Sequence, residues 1–235
     1  MRTNPEAIFL SIEDLIIDIN SWQFIAWEIL SAELGIHFGD EEYQAIKGLN
    51  RLDALNKILN NGGKKFIFSD EEKSEFLIRQ NNFLKKFFIH ASADNISNGI
   101  RQFITDCQKA NILLGLTAVN EATYSLLEKV EMEDPFDIIV GEQMVQAGKP
   151  APDYFLFAAK QLSLNPNFCI GIEGSRAGIR SAYTAGMLAI GIGNKEWLKH
   201  VGAIETCESI NELRLDWVLQ AFRKCVHSNR EPFFK

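Results

Sequence analysis

The sequence predicts an α/β fold: a doubly wound parallel sheet with an all-helical block inserted after its first strand. Three observations carry this reading. Five short apolar runs, each too brief for a helix, punctuate the chain. From Ile112 onward these runs alternate with helical stretches. Between the first two runs lies a block of about 70 residues with helical spacing and no convincing strand.

The first run, Glu6 to Ile12 (EAIFLSI), is apolar almost throughout, as a strand buried on both faces requires. The helical block follows. Phe24, Trp27, Leu30 and Leu34 recur at helical spacing and stop at Gly35. A second helix is predicted from Arg51 to Asn60, ended by Asn61-Gly62-Gly63. A third is predicted from Asp70 to His90, with Ser69 as N-cap and Glu72 as its capping-box partner. The alternation then begins: helix Ile96 to Ala110, strand Ile112 to Thr117, helix Glu121 to Val130, strand Phe136 to Val140. It continues with helix Asp153 to Leu162, strand Cys169 to Ile172, helix Ser175 to Ala185 and strand Met187 to Ile192. The expected division is an α/β core of residues 1–16 and 92–235, with a helical cap of residues 17–91.

Composition narrows the function classes. The 235 residues are 46 % apolar, enough for a full core, and most of the 17 Phe are expected inside it. The net charge of −7 argues against general nucleic-acid binding, which needs a basic face. Four cysteines, Cys107, Cys169, Cys207 and Cys225, are far apart and form no CxxC, so free thiols in a reducing compartment are expected. No apolar run is long enough to span a bilayer and no leader pattern precedes the first strand, which points to a cytoplasmic protein without membrane contact.

Ligands of such sheets sit outside the carboxyl ends of the strands. Those ends carry Ser11-Ile12-Glu13-Asp14, Thr117-Ala118-Val119-Asn120, the segment Gly148-Lys149-Pro150-Ala151-Pro152-Asp153, and Glu173-Gly174-Ser175-Arg176. In this order, and in the stretches GKPAPDYF, GIEGSRAGI and KGLNRLDAL, the chain resembles the haloacid dehalogenase superfamily, specifically its β-phosphoglucomutase-like branch. The resemblance runs from about residue 6 to residue 220 and implies a Rossmann-like core with the cap placed where the helical block stands.

The resemblance also implies a chemistry. One aspartate attacks the phosphoryl group, and an acid two residues later serves the hydroxyl as acid and base. A Ser or Thr and a Lys hold the phosphoryl oxygens, and acids after the fourth strand hold Mg²⁺. Carried onto this chain, the nucleophile position is Ser11 and the acid/base position is Glu13. The hydroxyl position falls on Ala118, with Thr117 before it and Asn120 beyond, and the Lys position is Lys149. The metal acids fall on Glu173 and Gly174, so Mg²⁺ would be left with Glu173 and the backbone of Glu13. In the cap, Lys47, Arg51 and Asn81 take the places of sugar-phosphate contacts, and Gln23 stands where sugar phosphomutases carry a hinge His.

Three functional side chains are therefore expected to be missing: nucleophile, one metal acid and one phosphate hydroxyl. Two carboxylates lost together with a dication leave the local charge where it was, which a buried site requires. Tight Mg²⁺ binding is not expected. The reading is a degenerate phosphoryl-transfer site, a pseudoenzyme that binds a phosphorylated small molecule, foremost a sugar phosphate. The alternatives are an active phosphatase or sugar-phosphate mutase with an altered site, and an interaction protein using the unmatched tail VHSNREPFFK. Lys149 is expected to pair with Glu13 or Glu173, and Arg176 either to face a phosphate or to be solvated.

Overall fold

Each strand puts alternate residues on opposite faces, and the apolar runs use both. The computed structural model describes residues 4–12, 16, 19–96 and 99–227. Among them are six strands: β1 (Ala7–Ser11), β2 (Leu113–Val119), β3 (Ile138–Gly141), β4 (Cys169–Glu173), β5 (Leu188–Ile192) and β6 (Glu205–Cys207). All pair in parallel in the order β3-β2-β1-β4-β5-β6. Ile8, Leu10, Leu114, Leu116, Ile170 and Ile172 point into one core. Ala7, Phe9, Val140 and Ala189 point into the other. The order reverses beside β1, and there the carboxyl ends of β1, β2 and β4 open a crevice.

The helices are α1 (Asn20–Glu33), α2 (Asp40–Ile46), α3 (Arg51–Asn61) and α4 (Asp70–Phe88) between β1 and β2. Then come α5 (Ile100–Lys109), α6 (Glu121–Lys129), α7 (Asp153–Gln161), α8 (Arg176–Thr184), α9 (Lys195–His200) and α10 (Leu215–His227). Helices α1 to α4 enclose a core of their own around Trp27, Leu30, Tyr43, Leu55, Ile58 and Phe76. The expected capping box is present: the Ser69 hydroxyl accepts from Glu72 N at 3.2 Å, and Ser69 N donates to Glu72 Oε2 at 2.8 Å.

The structure departs from expectation at several points. Helix α5 starts at Ile100 rather than Ile96, because Gly99 adopts φ +82°, which a helical residue cannot. The short helices α2 and α9, the strand β6 and helix α10 were not foreseen. Phe66 is 88 % exposed at the tip between α3 and α4, against the expected burial. The thiols are free, with Cys107 and Cys169 buried. Burial pushes Cys107 up to about 12 and Cys207 to about 11, so neither is a thiolate nucleophile at neutral pH. No helix among the described residues is long and apolar enough to cross a membrane.

Candidate functional site

The strand ends and the cap face each other across one closed cleft. From the core come Ser11, Thr117, Ala118, Asn120, Glu142, Lys149, Glu173 and Ser175. From the cap come Gln23, Trp27, Tyr43, Lys47, Gly48, Asn50 and Arg51. The cavity between them measures about 50 Å³.

Ser11 ends β1 and lies directly beside Thr117 in the register of β1 against β2. Both are buried, at 5 % and 1 % exposure. The Thr117 hydroxyl has no hydrogen-bond partner. Ala118, next in line, adopts φ +62°, and the pairing of β2 with β3 slips between Thr117 and Val119. Thr117, the residue before the expected hydroxyl position at Ala118, carries a hydroxyl of its own. Across the slip β2 stays in the sheet, with Val119 opposite Gly141, and both Thr117 and Ala118 line the cleft. Asn120 also lines it, but its carbonyl oxygen caps α6 by accepting from Thr123 N at 2.9 Å.

Lys149 pairs with Glu173. Its Nζ stands 2.6 Å from Glu173 Oε1, and the two side chains are 4 % and 1 % exposed. The Phe155 ring lies beside the ammonium, 5.9 Å from its centroid. The other Glu173 oxygen faces the first turn of α8, where a Cβ on Gly178 would meet it at 2.0 Å. Glu13, the other partner considered, lies outside the described residues.

The cap closes on the core at three points. Gly48, at φ +80°, presses so near Ser175 that a Cβ would stand 2.1 Å from its Oγ. Asn50, the N-cap of α3, lies against Gly148 in the same way, at 2.4 Å from where a Cβ would stand. Arg51 Nε reaches to 3.6 Å from Glu142 Oε2, in the turn after β3. Burial raises the Glu142 carboxyl above its ordinary value, and the Arg51 charge only partly offsets this.

Three sequence candidates are not in the cleft. Asn81 sits on α4 one residue past the inward stripe of Phe76, Gln80, Leu84 and Phe88, and does not line the cavity. Gln80 fills that direction, donating to Gln23 Oε1 at 3.4 Å. Gly174 and Arg176 border a separate groove of about 800 Å³ with Asp40 and Trp197. Arg176 is exposed there, as a solvated helix-start residue is. Sequence reasoning missed Glu142, although it directly follows the end of β3, where strand-end logic would have sought it. None of the described histidines lines the cleft.

Magnesium wants several oxygen ligands, carboxylates above all. Among the described residues the ends of β1 and β4 offer Ser11, Gly174 and one carboxylate, Glu173, already held by Lys149. No cluster of three or more His, Cys, Asp or Glu suited to a metal exists among the described residues. Among the described residues this donor set is short of the carboxylates the ion favours.

A doubly wound sheet with a helical cap over a lysine and a carboxylate at its strand ends defines the class of capped α/β proteins. Residues 13–192 match the profile of the haloacid dehalogenase-like hydrolases, and the chain belongs to that family, in its β-phosphoglucomutase-like branch. It is 29 % identical over 188 residues to the β-phosphoglucomutase of Bacillus subtilis (strain 168), covering 80 % of this chain and 83 % of that one. It is 21 % identical over 184 residues to a phosphorylated carbohydrates phosphatase of Thermotoga maritima, covering 77 % and 82 %. A crystal structure of β-phosphoglucomutase from Clostridium difficile superposes with a TM-score of 0.90 at 30 % identity, covering 95 % of this chain and 99 % of the other.

Proposed function

We propose that this chain keeps the β-phosphoglucomutase-like cleft as a binding site for a phosphorylated small molecule, a sugar phosphate first, and has lost efficient phosphoryl transfer. The observation that carries this is Ser11 at the end of β1, in register with Thr117, where the attacking carboxylate is expected. A serine can replace it only with a base and a cation at hand. The carboxylate nearest in kind to a metal ligand, Glu173, is already engaged by Lys149. Mg²⁺ is proposed to bind weakly or not at all.

Binding remains reasonable on the residues present. Lys149 and the unpartnered Thr117 hydroxyl stand at the strand-end pole. Lys47 and Arg51 add positive charge at the cap pole, where a guanidinium can grip two phosphate oxygens. The relatives named for phosphorylated carbohydrates suggest the ligand class.

The test is an assay with Mg²⁺ on acetyl phosphate and a panel of hexose phosphates. Turnover on the order of 1 per second or more would defeat the impaired reading and favour an active phosphatase or mutase. The double reversion Ser11→Asp with Gly174→Asp should gain hydrolysis over the parent. Thr117 already supplies the hydroxyl, so position 118 needs no change.

A further inference from the structure

The family's magnesium poses a charge problem that this cleft solves in another way. A phosphoryl group carries up to two negative charges, and a buried site must meet them. The described strand ends hold one cation, the Lys149 ammonium, 3 % exposed and fixed at 2.6 Å by Glu173. An ammonium has three donors. Glu173 takes one, and the residue still lines the cleft. Beside it stands the Thr117 hydroxyl, buried and without a partner in the closed state. A buried polar atom left unpaired is costly, and an oxyanion accepting from it would remove that cost.

We infer that in this chain Glu173 is a positioning residue for Lys149 rather than a metal ligand, and that the ammonium it holds takes the place of a divalent cation toward the ligand's phosphoryl group. The inference rests on the proposed binding function and adds to it how the anion is met. Both oxygens of Glu173 are turned to the protein: Oε1 to Lys149, and Oε2 to the packed start of α8. Glu173 lies on the last residue of β4 and Lys149 just before α7, so the pair ties two segments of the core at the cleft floor.

This reverses the sign of one substitution. Where a glutamate holds Mg²⁺, its neutral amide loses metal and with it the anion. Here Glu173→Gln removes the partner charge from Lys149, and the incoming anion supplies it instead. Anion affinity should then rise, even as the unliganded fold weakens.

The experiment is isothermal calorimetry and thermal unfolding of the full chain with inorganic phosphate and with glucose 6-phosphate, in Mg²⁺ and in EDTA. For the parent, the two media should give affinities equal within about twofold. For Glu173→Gln, affinity should rise about tenfold, which is about 1.4 kcal/mol, and phosphate should raise its melting temperature more than the parent's. A merely structural role would lower stability without that gain. Binding that strengthens tenfold or more with Mg²⁺, or that weakens in Glu173→Gln, would overturn the inference while leaving the binding function standing. Absence of binding in every arm would remove the binding function itself, and the inference with it. If Glu173→Gln does not fold, the Mg²⁺ and EDTA arms on the parent decide alone.

Discussion

Among the described residues two ion pairs line the cleft, and they are made differently. Lys149 and Glu173 approach to 2.6 Å with side chains 4 % and 1 % exposed, and both belong to the α/β core. Arg51 and Glu142 stand at 3.6 Å with 28 % and 26 % exposure, and they join cap to core. The first is fixed by packing on every side, and neither charge can be removed singly without stranding the other. The second is loose enough to exchange partners. One pole of the cleft is thus rigid and the other adjustable, which suits the proposed binding function.

The largest effect should come from breaking the rigid pair. Lys149→Met keeps the stem and removes the charge, leaving Glu173 buried and unpaired. The expected loss is about 3–5 kcal/mol, read from urea or guanidinium midpoints. A loss under about 1 kcal/mol would mean that water reaches the pair, and that the two poles do not differ as described.

The same contrast explains what the sequence could say. The rigid pole was largely legible. Buried parallel strands write themselves as apolar runs such as AIFLS and CIGIE, and a residue at a strand end points to the crevice by topology. Lys149 and Glu173 were found in this way, though their mutual contact was one of two left open. The adjustable pole was not so legible. Glu142 follows β3 in a three-residue turn with no motif around it, and Asn81 was placed by resemblance to a helix face that Gln80 takes instead. The slip in strand pairing between Thr117 and Val119 was not legible, because it leaves no mark in hydrophobic pattern. The short helix α2 and the half-exposed β6 fall below the length at which periodicity can be read.

A second, smaller effect sharpens the account of the rigid pole. Thr117→Val keeps the branched shape that a strand favours and removes the unpartnered oxygen. Stability should rise by up to about 1 kcal/mol, because a buried atom without a hydrogen bond is no longer paid for in lost hydration. Affinity for inorganic phosphate should fall about tenfold or more, the worth of a hydrogen bond to a charged group. The two changes have opposite signs, and paired denaturation and calorimetry on one preparation would read both. A stability loss together with unchanged binding would show that the hydroxyl serves the fold alone.

The smallest effect belongs to the adjustable pair, and its sign follows from Glu142. Burial raises this carboxyl above the ordinary value near 4.5, and the Arg51 charge does not fully compensate. In the window from that ordinary value up to the raised one, the folded chain holds a proton at Glu142 that the unfolded chain has released. Stability from this group is therefore present below the window and declines as pH climbs through it. Glu142→Gln cannot titrate, so it lacks that decline. Parent and variant should unfold alike near pH 4, and the variant should become the more stable of the two as pH rises toward 7. Denaturant midpoints across that range test this directly. A variant that is instead less stable at neutral pH would mean that Arg51 and Glu142 clamp the cap as firmly as Lys149 and Glu173 hold the core, and the distinction between the two poles would fail.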